Sequence, residues 1–371
     1  MNRRQFLSAS AAASLGSAVL FAAEDAPPEP FRKIKIGQIG VRHEHASGKM
    51  TSLKLLPNYY EIVGIAAESP EWEEKHKNYS CYKDLTWASQ EELLATPGLE
   101  AVAVETEMTE LIPTAKRCAE LGLHMHVDKP LGQNLDECRE LLDICRANNV
   151  IMQPGYMFRT NQAFRLAIKA VQSGWLGEIH DVQANMNRND VDPGFRKWLA
   201  TYRGGGMYDF GSHLVDFVVE LLGAPNEISV FERPDPDGLS DNTLSVLLYD
   251  KAIASLRVTE RSIDGFQNRS LSIIGNKGSF FLLPLENFSR DSETGKTVPL
   301  KVRLTLAEGN DEYSQGTHHL EIEPFEDRYI GQLIDLAKFI RGEKANPYSF
   351  EHELLVQKTI LAASGYIPWA N

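Results

Sequence analysis

The run Lys33-Ile34-Lys35-Ile36-Gly37-Gln38-Ile39-Gly40 is a short segment rich in β-branched residues that ends in glycine. Such a run is typical of a strand, and the closing glycine is typical of the turn that joins a strand to a helix in a nucleotide-binding fold. We therefore expect this segment to be the first strand of a parallel sheet, followed directly by a phosphate-binding turn.

Further strands and helices alternate as far as residue 155. The predicted strands cover residues 61–67, 99–104, 123–127 and 150–155. Helical patterns lie at 111–121 and at 135–148, where Asn134 is a suitable N-cap. This alternation predicts an α/β fold that begins with a doubly wound parallel sheet of the Rossmann type.

After residue 156 the pattern changes, because most strands are now joined by hairpin-like connections such as 249–251. The predicted strands are 177–184, 227–232, 244–249, 252–259, 271–274 and 279–283. The predicted helices are 163–173, 213–222, 329–342 and 350–364. These patterns predict a C-terminal α+β domain with a large, mostly antiparallel open sheet and helices on one face.

Three parts of the chain are therefore expected. Residues 1–30 form a signal peptide and spacer, residues 31–154 form the Rossmann domain that binds NAD(P), and residues 155–371 form the domain for substrate binding and oligomerisation. A length of 371 residues and an apolar content of 43% fit two globular cores. The net charge of −13 argues against nucleic acid or an anionic membrane surface as a partner.

The first residues resemble a targeting segment. Arg3 and Arg4 precede Phe6 and Leu7, and an alanine-rich stretch follows at 8–23. Paired arginines before a short, weakly apolar segment predict twin-arginine export to the periplasm or beyond, without a stable membrane anchor. An ordinary secretory signal is the alternative.

The turn after the first strand departs from the dinucleotide fingerprint G-x-G-x-x-G. Gly40 fits the first position, whereas Arg42 and His45 occupy the other two. The charge of Arg42 could replace some of the lost backbone contacts, and a turn that binds no nucleotide is the alternative. After the second strand, Glu68 offers a carboxylate for the ribose diol, which favours NAD over NADP.

Two motifs are expected to carry the chemistry. Residues 127–132 place Lys129 at the end of a predicted parallel strand, and residues 204–216 place Asp209 and His213 at the start of a helix. Because Asp209 and His213 are four residues apart, both side chains lie on one helical face. A lysine, a carboxylate and a histidine beside a nucleotide-binding sheet meet the needs of carbinol oxidation by hydride transfer.

With these motifs the chain resembles the glucose–fructose oxidoreductase, inositol dehydrogenase and rhizopine-catabolism (Gfo/Idh/MocA) family over about residues 33–364. The resemblance is carried by residues 37–40, 128–130, 177–179, 204–216 and 274–279. The family usually has Glu-Lys-Pro where this chain has Asp128, and we expect little effect on Lys129 because the charge is unchanged. The resemblance implies that Lys129, Asp209 and His213 face a nicotinamide.

The expected roles follow from the chemistry of each group. His213 is the preferred base because the ordinary pKa of histidine lies near neutrality. Lys129 would hydrogen-bond the reacting oxygen and Asp209 would orient the sugar or the histidine, although Lys129 and His213 could exchange roles. The predicted cofactor contacts are Gly37, Gly40, Val41, Arg42, Glu68, Lys129 and Pro130. The predicted substrate contacts are Arg159, Lys197 and Asp216, of which Asp216 has a structural alternative.

Other polar residues and aromatic residues are less specific. Histidines form the pairs 43/45, 124/126 and 318/319, but none is joined by a cysteine or carboxylate at a recognised ligand spacing, so no metal site is predicted. The four cysteines also lack such spacing and are interpreted as buried apolar residues. Tyr156 and Trp198 fit either a sugar-stacking or a core position.

Three functions agree with these residues. The first is an exported oxidoreductase that transfers hydride between a tightly bound NAD (NADP being possible) and a carbinol of a sugar, cyclitol or sugar derivative. The second is an NAD-dependent glycoside hydrolase that works by transient oxidation at C3 and elimination, and the third is a non-catalytic carbohydrate-binding protein. The resemblance also implies a homo-oligomer.

Overall fold

Two sheets organise the part of the chain that the computed structural model describes, which comprises residues 32–287, 297–323 and 327–370. The expected signal peptide and spacer at 1–30 therefore lie outside the described residues. Within these ranges, no helix combines the length and the apolar character needed to cross a membrane.

The first sheet has five parallel strands in the order β2-β1-β3-β4-β5. They are β1 (Ile34–Ile39), β2 (Tyr60–Ala66), β3 (Ala101–Val104), β4 (His124–Val127) and β5 (Met152–Pro154). Its helices are α1 (Ala46–Lys54), α2 (Pro70–His76), α3 (Gln90–Leu94), α4 (Met108–Glu120) and α5 (Leu135–Ala147). The prediction of a doubly wound parallel sheet is confirmed. Its strand order reverses between β1 and β3, which is where such sheets bind ligands.

Local sequence explains these elements. Every residue of β3 is buried, as expected for a strand covered on both faces by helices. The side chain of Asn134 accepts hydrogen bonds from the N–H groups of Asp136 and Glu137, so it caps α5 as the sequence indicated.

The second sheet has eight strands in the order β13-β12-β11-β10-β6-β9-β8-β7. They are β6 (Ile179–Asn187), β7 (Glu227–Glu232), β8 (Asn242–Leu248), β9 (Ile253–Thr259), β10 (Ser270–Gly275), β11 (Gly278–Leu282), β12 (Leu300–Leu306) and β13 (Gly316–Ile322). Only β6 and β9 pair in parallel, so the prediction of a mostly antiparallel sheet is confirmed. The pattern had not indicated β12 and β13.

Helices cover one face of this sheet. They are α6 (Gln162–Gln172), α7 (Pro193–Leu199), α8 (Gly205–Asp209), α9 (Gly211–Leu222) and α11 (Phe350–Ala363), whereas α10 (Ile330–Arg341) does not belong to this layer. Phe164 of α6 and Phe217 of α9 are buried in one cluster with Val182 and Leu256 of the sheet. Burial alternates along β8 and β12, so the opposite face of the sheet is more open.

Helix α10 returns to the first sheet. Leu333 and Ala337 lie in the same buried cluster as Ile34 and Ile36 of β1, and α10 packs on α1. The C-terminal part of the chain therefore contributes to the core around β1, while the domain boundaries at 31–154 and 155–371 stay a prediction.

Candidate active site

Lys129 and Asp209 meet where β4 ends and α8 ends. Nζ of Lys129 donates hydrogen bonds to the carboxylate of Asp209 and, at 3.0 Å, to its main-chain carbonyl oxygen. Each side chain is 1% exposed. The lysine is thus held at a fixed point after the parallel strand, as its motif predicted.

Three consecutive glycines make this approach possible. Gly204 has φ +76°, and a Cβ there would lie 2.6 Å from the carbonyl oxygen of Ser364. A Cβ on Gly206 would lie 1.9 Å from the carboxylate of Glu260. The glycines therefore allow α8 to pack closely against other parts of the protein, beyond being a flexible turn.

His213 lies on α9, next to this pair. Its ring is perpendicular to that of Tyr156 at 6.1 Å between centroids, and Nδ1 is buried without a hydrogen-bond partner among the described residues. Burial lowers the pKa of His213 well below its ordinary value, and the charge of Lys129 lowers it further. His213 is therefore a neutral imidazole at physiological pH, as a base must be.

Lys129 and His213 both line a cavity of about 300 Å³. Its walls also include Glu44 and His45 from the turn after β1, and residues from the second sheet and its loops. The remaining lining residues are Met157, Met186, Arg188, Phe210, Phe266, Arg269, Arg328 and Tyr329. The cavity lies where the turns of the first sheet meet the second sheet, so Lys129 and His213 share one space, and Asp209 adjoins it through its contact with Lys129.

The turn after β1 retains the essential glycine. Gly40 has φ +100°, and a Cβ there would lie 2.5 Å from the backbone of Glu105 and Thr106. The N–H groups of Val41 and Arg42 each donate to the carboxylate of Glu68, at 3.2 Å. A glycine turn before a helix and an acid at the end of β2 are what a dinucleotide needs, so these residues fit a nicotinamide dinucleotide, with Glu68 resting on the turn N–H groups.

The other predicted cofactor residues have distinct surroundings. The guanidinium carbon of Arg42 lies 5.2 Å from the ring centroid of Trp72, and Nε of Arg42 lies 3.3 Å from Oε2 of Glu107. A Cβ on Gly37 would lie 3.0 Å from the side chain of Leu93, so the absence of a side chain at Gly37 allows α3 to pack closely on β1. Pro130 is buried directly after Lys129.

A carboxylate joins the histidine pair of the turn. Oδ2 of Asp128 lies 2.6 Å from Nδ1 of His43 and 3.0 Å from Nδ1 of His45. Although burial opposes it, the charge of Asp128 raises the pKa of His43 to about 9, so a buried imidazolium–carboxylate pair precedes Lys129. These three groups lie within 4.8 Å of one another, which is close enough to share an ion. Sequence spacing had indicated no such carboxylate because Asp128 follows β4, whereas the two histidines follow β1.

The three residues predicted to bind substrate do not line this cavity. Arg159 donates to both Asp216 and Glu353, and all three side chains are at most 4% exposed. Lys197 lies on the exposed side of α7. Arg159 and Asp216 therefore form a buried ion-pair cluster, because α11 brings Glu353 to them.

The aromatic candidates have core or supporting positions. Tyr156 is fully buried, and Nε1 of Trp198 donates to Glu107 at 2.9 Å. Neither lines the cavity. The sequence reasoning missed Arg188, Arg269 and Arg328, which do line it and belong to no recognised motif.

Comparisons with known proteins agree with this architecture. The family described as "Oxidoreductase family, NAD-binding Rossmann fold" matches residues 34–156, and the "GFO/IDH/MocA C-terminal domain" matches residues 164–281. The trans-1,2-dihydrobenzene-1,2-diol dehydrogenase of Bos taurus is 25% identical over 240 residues, which are 63% of this chain and 69% of that protein. The oxidoreductase YhhX of Escherichia coli is 26% identical over 51% of this chain and about half, 54%, of its own length.

Solved structures share the fold. Aldose-aldose oxidoreductase from Caulobacter crescentus, complexed with glycerol, has a TM-score of 0.73 and 19% identity, with 90% of this chain and 96% of that chain covered. KijD10, a 3-ketoreductase from Actinomadura kijaniata in complex with TDP-benzene and NADP, has a TM-score of 0.68 and 16% identity, with 89% and 96% covered. At these identities the likeness is one of fold.

Proposed function

The chain belongs to the GFO/IDH/MocA family of nicotinamide-dependent oxidoreductases, and from this premise we propose that it transfers hydride between NAD and a carbinol of a sugar, cyclitol or sugar derivative. One observation carries the proposal. The ammonium of Lys129, fixed by Asp209, and the neutral imidazole of His213 line the same cavity, beside a turn that fits a dinucleotide.

The residues divide the reaction between them. A bound nicotinamide supplies the hydride acceptor. Nζ of Lys129 hydrogen-bonds the reacting oxygen and stabilises its alkoxide character, while Asp209 keeps the ammonium in place. The imidazole of His213 takes the hydroxyl proton as the carbon loses hydride, so one proton and one hydride leave the carbinol and a carbonyl remains.

The proposal is tested first on the purified protein. Nucleotide released by denaturation is identified by mass spectrometry, and formation of reduced nicotinamide is then followed with a panel of sugars and cyclitols. We expect NAD at close to one equivalent, held tightly, and turnover that a Lys129→Met substitution removes. A protein that contains no nucleotide and fails to bind added NAD(H) or NADP(H) would contradict the proposal.

NAD is the proposed coenzyme rather than NADP because of Glu68. Its carboxylate lies at the N–H groups of Val41 and Arg42, where the adenosine ribose is expected, and would repel a 2′-phosphate. Competition between NAD and NADP for the nucleotide-free protein tests this preference.

The glycoside hydrolase alternative needs a further base for the proton next to the oxidised carbon. Tyr329 is the tyrosine that lines the cavity, and burial raises its pKa, which is the wrong direction for a base. We therefore favour net oxidoreduction. Release of aglycone from a nitrophenyl glycoside, without net reduction of NAD, would reverse that preference.

A non-catalytic carbohydrate-binding protein is the remaining alternative. Binding alone does not need a buried ammonium, a fixed carboxylate and a neutral imidazole around one cavity, so Lys129, Asp209 and His213 count against it. Sugar binding without any hydride transfer in either direction would support it.

Export and assembly belong to the same proposal. The arginine pair Arg3 and Arg4 before Phe6 and Leu7 supports passage through the twin-arginine machinery with the coenzyme already bound. Retention of an Arg3→Lys/Arg4→Lys variant inside the cell would be the supporting result. The proposed homo-oligomer is tested by light scattering of the purified protein.

A further inference from the structure

Cationic side chains outnumber carboxylates in the wall of the cavity. Lys129, Arg188, Arg269 and Arg328 line it, whereas Glu44 is the one carboxylate among the lining residues. Lys129 is already neutralised by Asp209. Three guanidinium groups therefore face the same cavity as Lys129 and His213.

Two of these guanidinium groups share a single carboxylate. Nη1 of Arg269 lies 2.6 Å from Oε1 of Glu286, and Nη2 of Arg328 lies 2.8 Å from its Oε2. Glu286 is 7% exposed and does not itself line the cavity. The carboxylate thus holds the two guanidinium groups side by side from outside the cavity.

Arg269 lies close enough to Arg188 and Arg328 to be affected by their charges. Burial lowers its pKa to about 10, Glu286 raises it, and the charges of Arg188 and Arg328 lower it further. An arginine is costly to bury without full compensation. A negatively charged ligand group in the cavity would therefore be stabilised by all three guanidinium groups.

Arg188 is held in a fixed orientation. Its Nε and Nη2 lie 2.8 and 3.0 Å from the carboxylate of Asp190, and its guanidinium carbon is 4.0 Å from the ring centroid of Phe210. A guanidinium that is fixed by a carboxylate and by an aromatic ring loses little entropy when it binds an anion.

We propose that the cavity selects a monosaccharide that bears an oxyanion group, such as a hexuronate, with the anion at Arg188, Arg269 and Arg328 and the reacting carbinol at Lys129 and His213. A volume of about 300 Å³ lies at the small end of ligand sites, which suits a single sugar ring better than a sugar nucleotide. The inference rests on the proposed function only for the position of the carbinol.

The decisive comparison uses the wild-type holoprotein and matched sugars. Glucuronate and galacturonate are compared with glucose and galactose, and glucose 6-phosphate distinguishes a phosphate from a carboxylate. We expect kcat/KM to favour one anionic class by about 10- to 100-fold, the range expected from a charged hydrogen bond, chiefly through KM and less strongly at high salt. Equal kcat/KM for hexoses and hexuronates overturns the inference while the proposed function stands.

Calorimetry separates the two proposals if no sugar is oxidised. Hexuronate that binds at least tenfold more tightly than the matching hexose supports the anion site even without turnover. Equal affinity for the hexuronate and the hexose overturns the anion site. It is also overturned if the hexuronate, the hexose and glucose 6-phosphate all fail to bind.

Variants place the anion at the guanidinium groups. Arg188→Gln should raise the KM for the anionic sugar about tenfold or more, leave the KM for the neutral sugar unchanged, and be partly rescued by Arg188→Lys. Arg257→Gln is the matched control because Arg257 is exposed on β9 and contacts Asn242 instead. An equal effect of Arg188→Gln on both sugars overturns the assignment, and thermal denaturation checks that the variant folds.

Discussion

Lys129 and Asp209 form a buried ion pair that joins the two sheets: Nζ of Lys129 donates to the carboxylate of Asp209 and, at 3.0 Å, to its carbonyl oxygen. Lys129 follows β4 of the first sheet, whereas Asp209 ends a helix that packs on β9 of the second. The ammonium is therefore positioned before any substrate arrives, which is the arrangement that electrostatic stabilisation of an alkoxide requires.

Replacing Lys129 by methionine should lower kcat by about 10²- to 10⁴-fold while the nicotinamide still binds. The reason is that the reacting oxygen loses its hydrogen-bond donor, whereas the turn after β1 is unchanged. Steady-state kinetics and a fluorescence titration with NADH measure the two effects.

Lys116→Met is the control for this substitution, because Lys116 pairs with Glu140 on the surface of α4 and α5. Removal of Lys129 also leaves Asp209 buried without its partner. The stability of each variant is therefore measured by denaturation, and a fully active Lys129→Met protein would contradict the proposed role.

The pH profile should report a depressed pKa at His213. Burial, with the charge of Lys129, holds this pKa well below the ordinary value of about 6.5. The acidic limb of kcat/KM should therefore lie at lower pH than the ordinary pKa of histidine, and His213→Asn should remove that limb and lower kcat by about 10²- to 10⁴-fold. If the acidic limb persists in His213→Asn, the limb reports the titration of another group.

The same depression predicts how stability depends on pH. Below about pH 6.5 the unfolded histidine takes up a proton while native His213 does not, so its contribution to the free energy of unfolding falls as pH falls. His213→Asn should lose less stability than wild type between pH 7 and pH 5. His180→Asn, at an exposed position of β6, should behave as wild type.

Much of the fold was predictable because its signals are local. The β-branched run at β1 and the cap Asn134 each identified their element within a few residues. Strand β13 carries His318, His319 and Glu321, and its pairing with β12 rather than its own composition makes it a strand. Such tertiary pairing has no local signature.

The residues of the candidate site likewise fall into those that a local motif indicates and those that only the folded structure brings together. Lys129 and His213 belong to contiguous motifs, so the sequence indicated both. Arg188, Arg269 and Arg328 come from three separate segments and approach one another only because β6 pairs with β10 and α10 returns to the first sheet. The sequence also could not indicate that Arg159 binds Glu353 on α11.

The cluster of Arg159, Asp216 and Glu353 should behave as a structural unit. Arg159→Met leaves two buried carboxylates without their cation and should reduce the free energy of unfolding by about 3–5 kcal/mol. The KM for substrate should be unchanged in the folded protein, because the cluster does not line the cavity beside Lys129.

Denaturant titration and steady-state kinetics test this expectation together. Arg165→Met provides the comparison, since Arg165 pairs with Glu220 with its side chain 45% exposed and should contribute at most about 1 kcal/mol. A stable Arg159→Met protein with a strongly raised KM would restore Arg159 as a substrate contact.

Glu68 should determine the choice between NAD and NADP. Its carboxylate accepts hydrogen bonds at 3.2 Å from the N–H groups of Val41 and Arg42, so it places a negative charge at the N-terminal side of α1. Glu68→Ser removes this charge and frees both N–H groups, which should shift the ratio of kcat/KM for NADP over NAD upward by about 10- to 100-fold. Glu71→Ser, at an exposed position of α2, keeps the turn intact and should leave the ratio unchanged. If Glu68→Ser changes kcat/KM for NAD and for NADP by the same factor, the carboxylate acts on the shape of the turn and not on the 2′ position of the ribose.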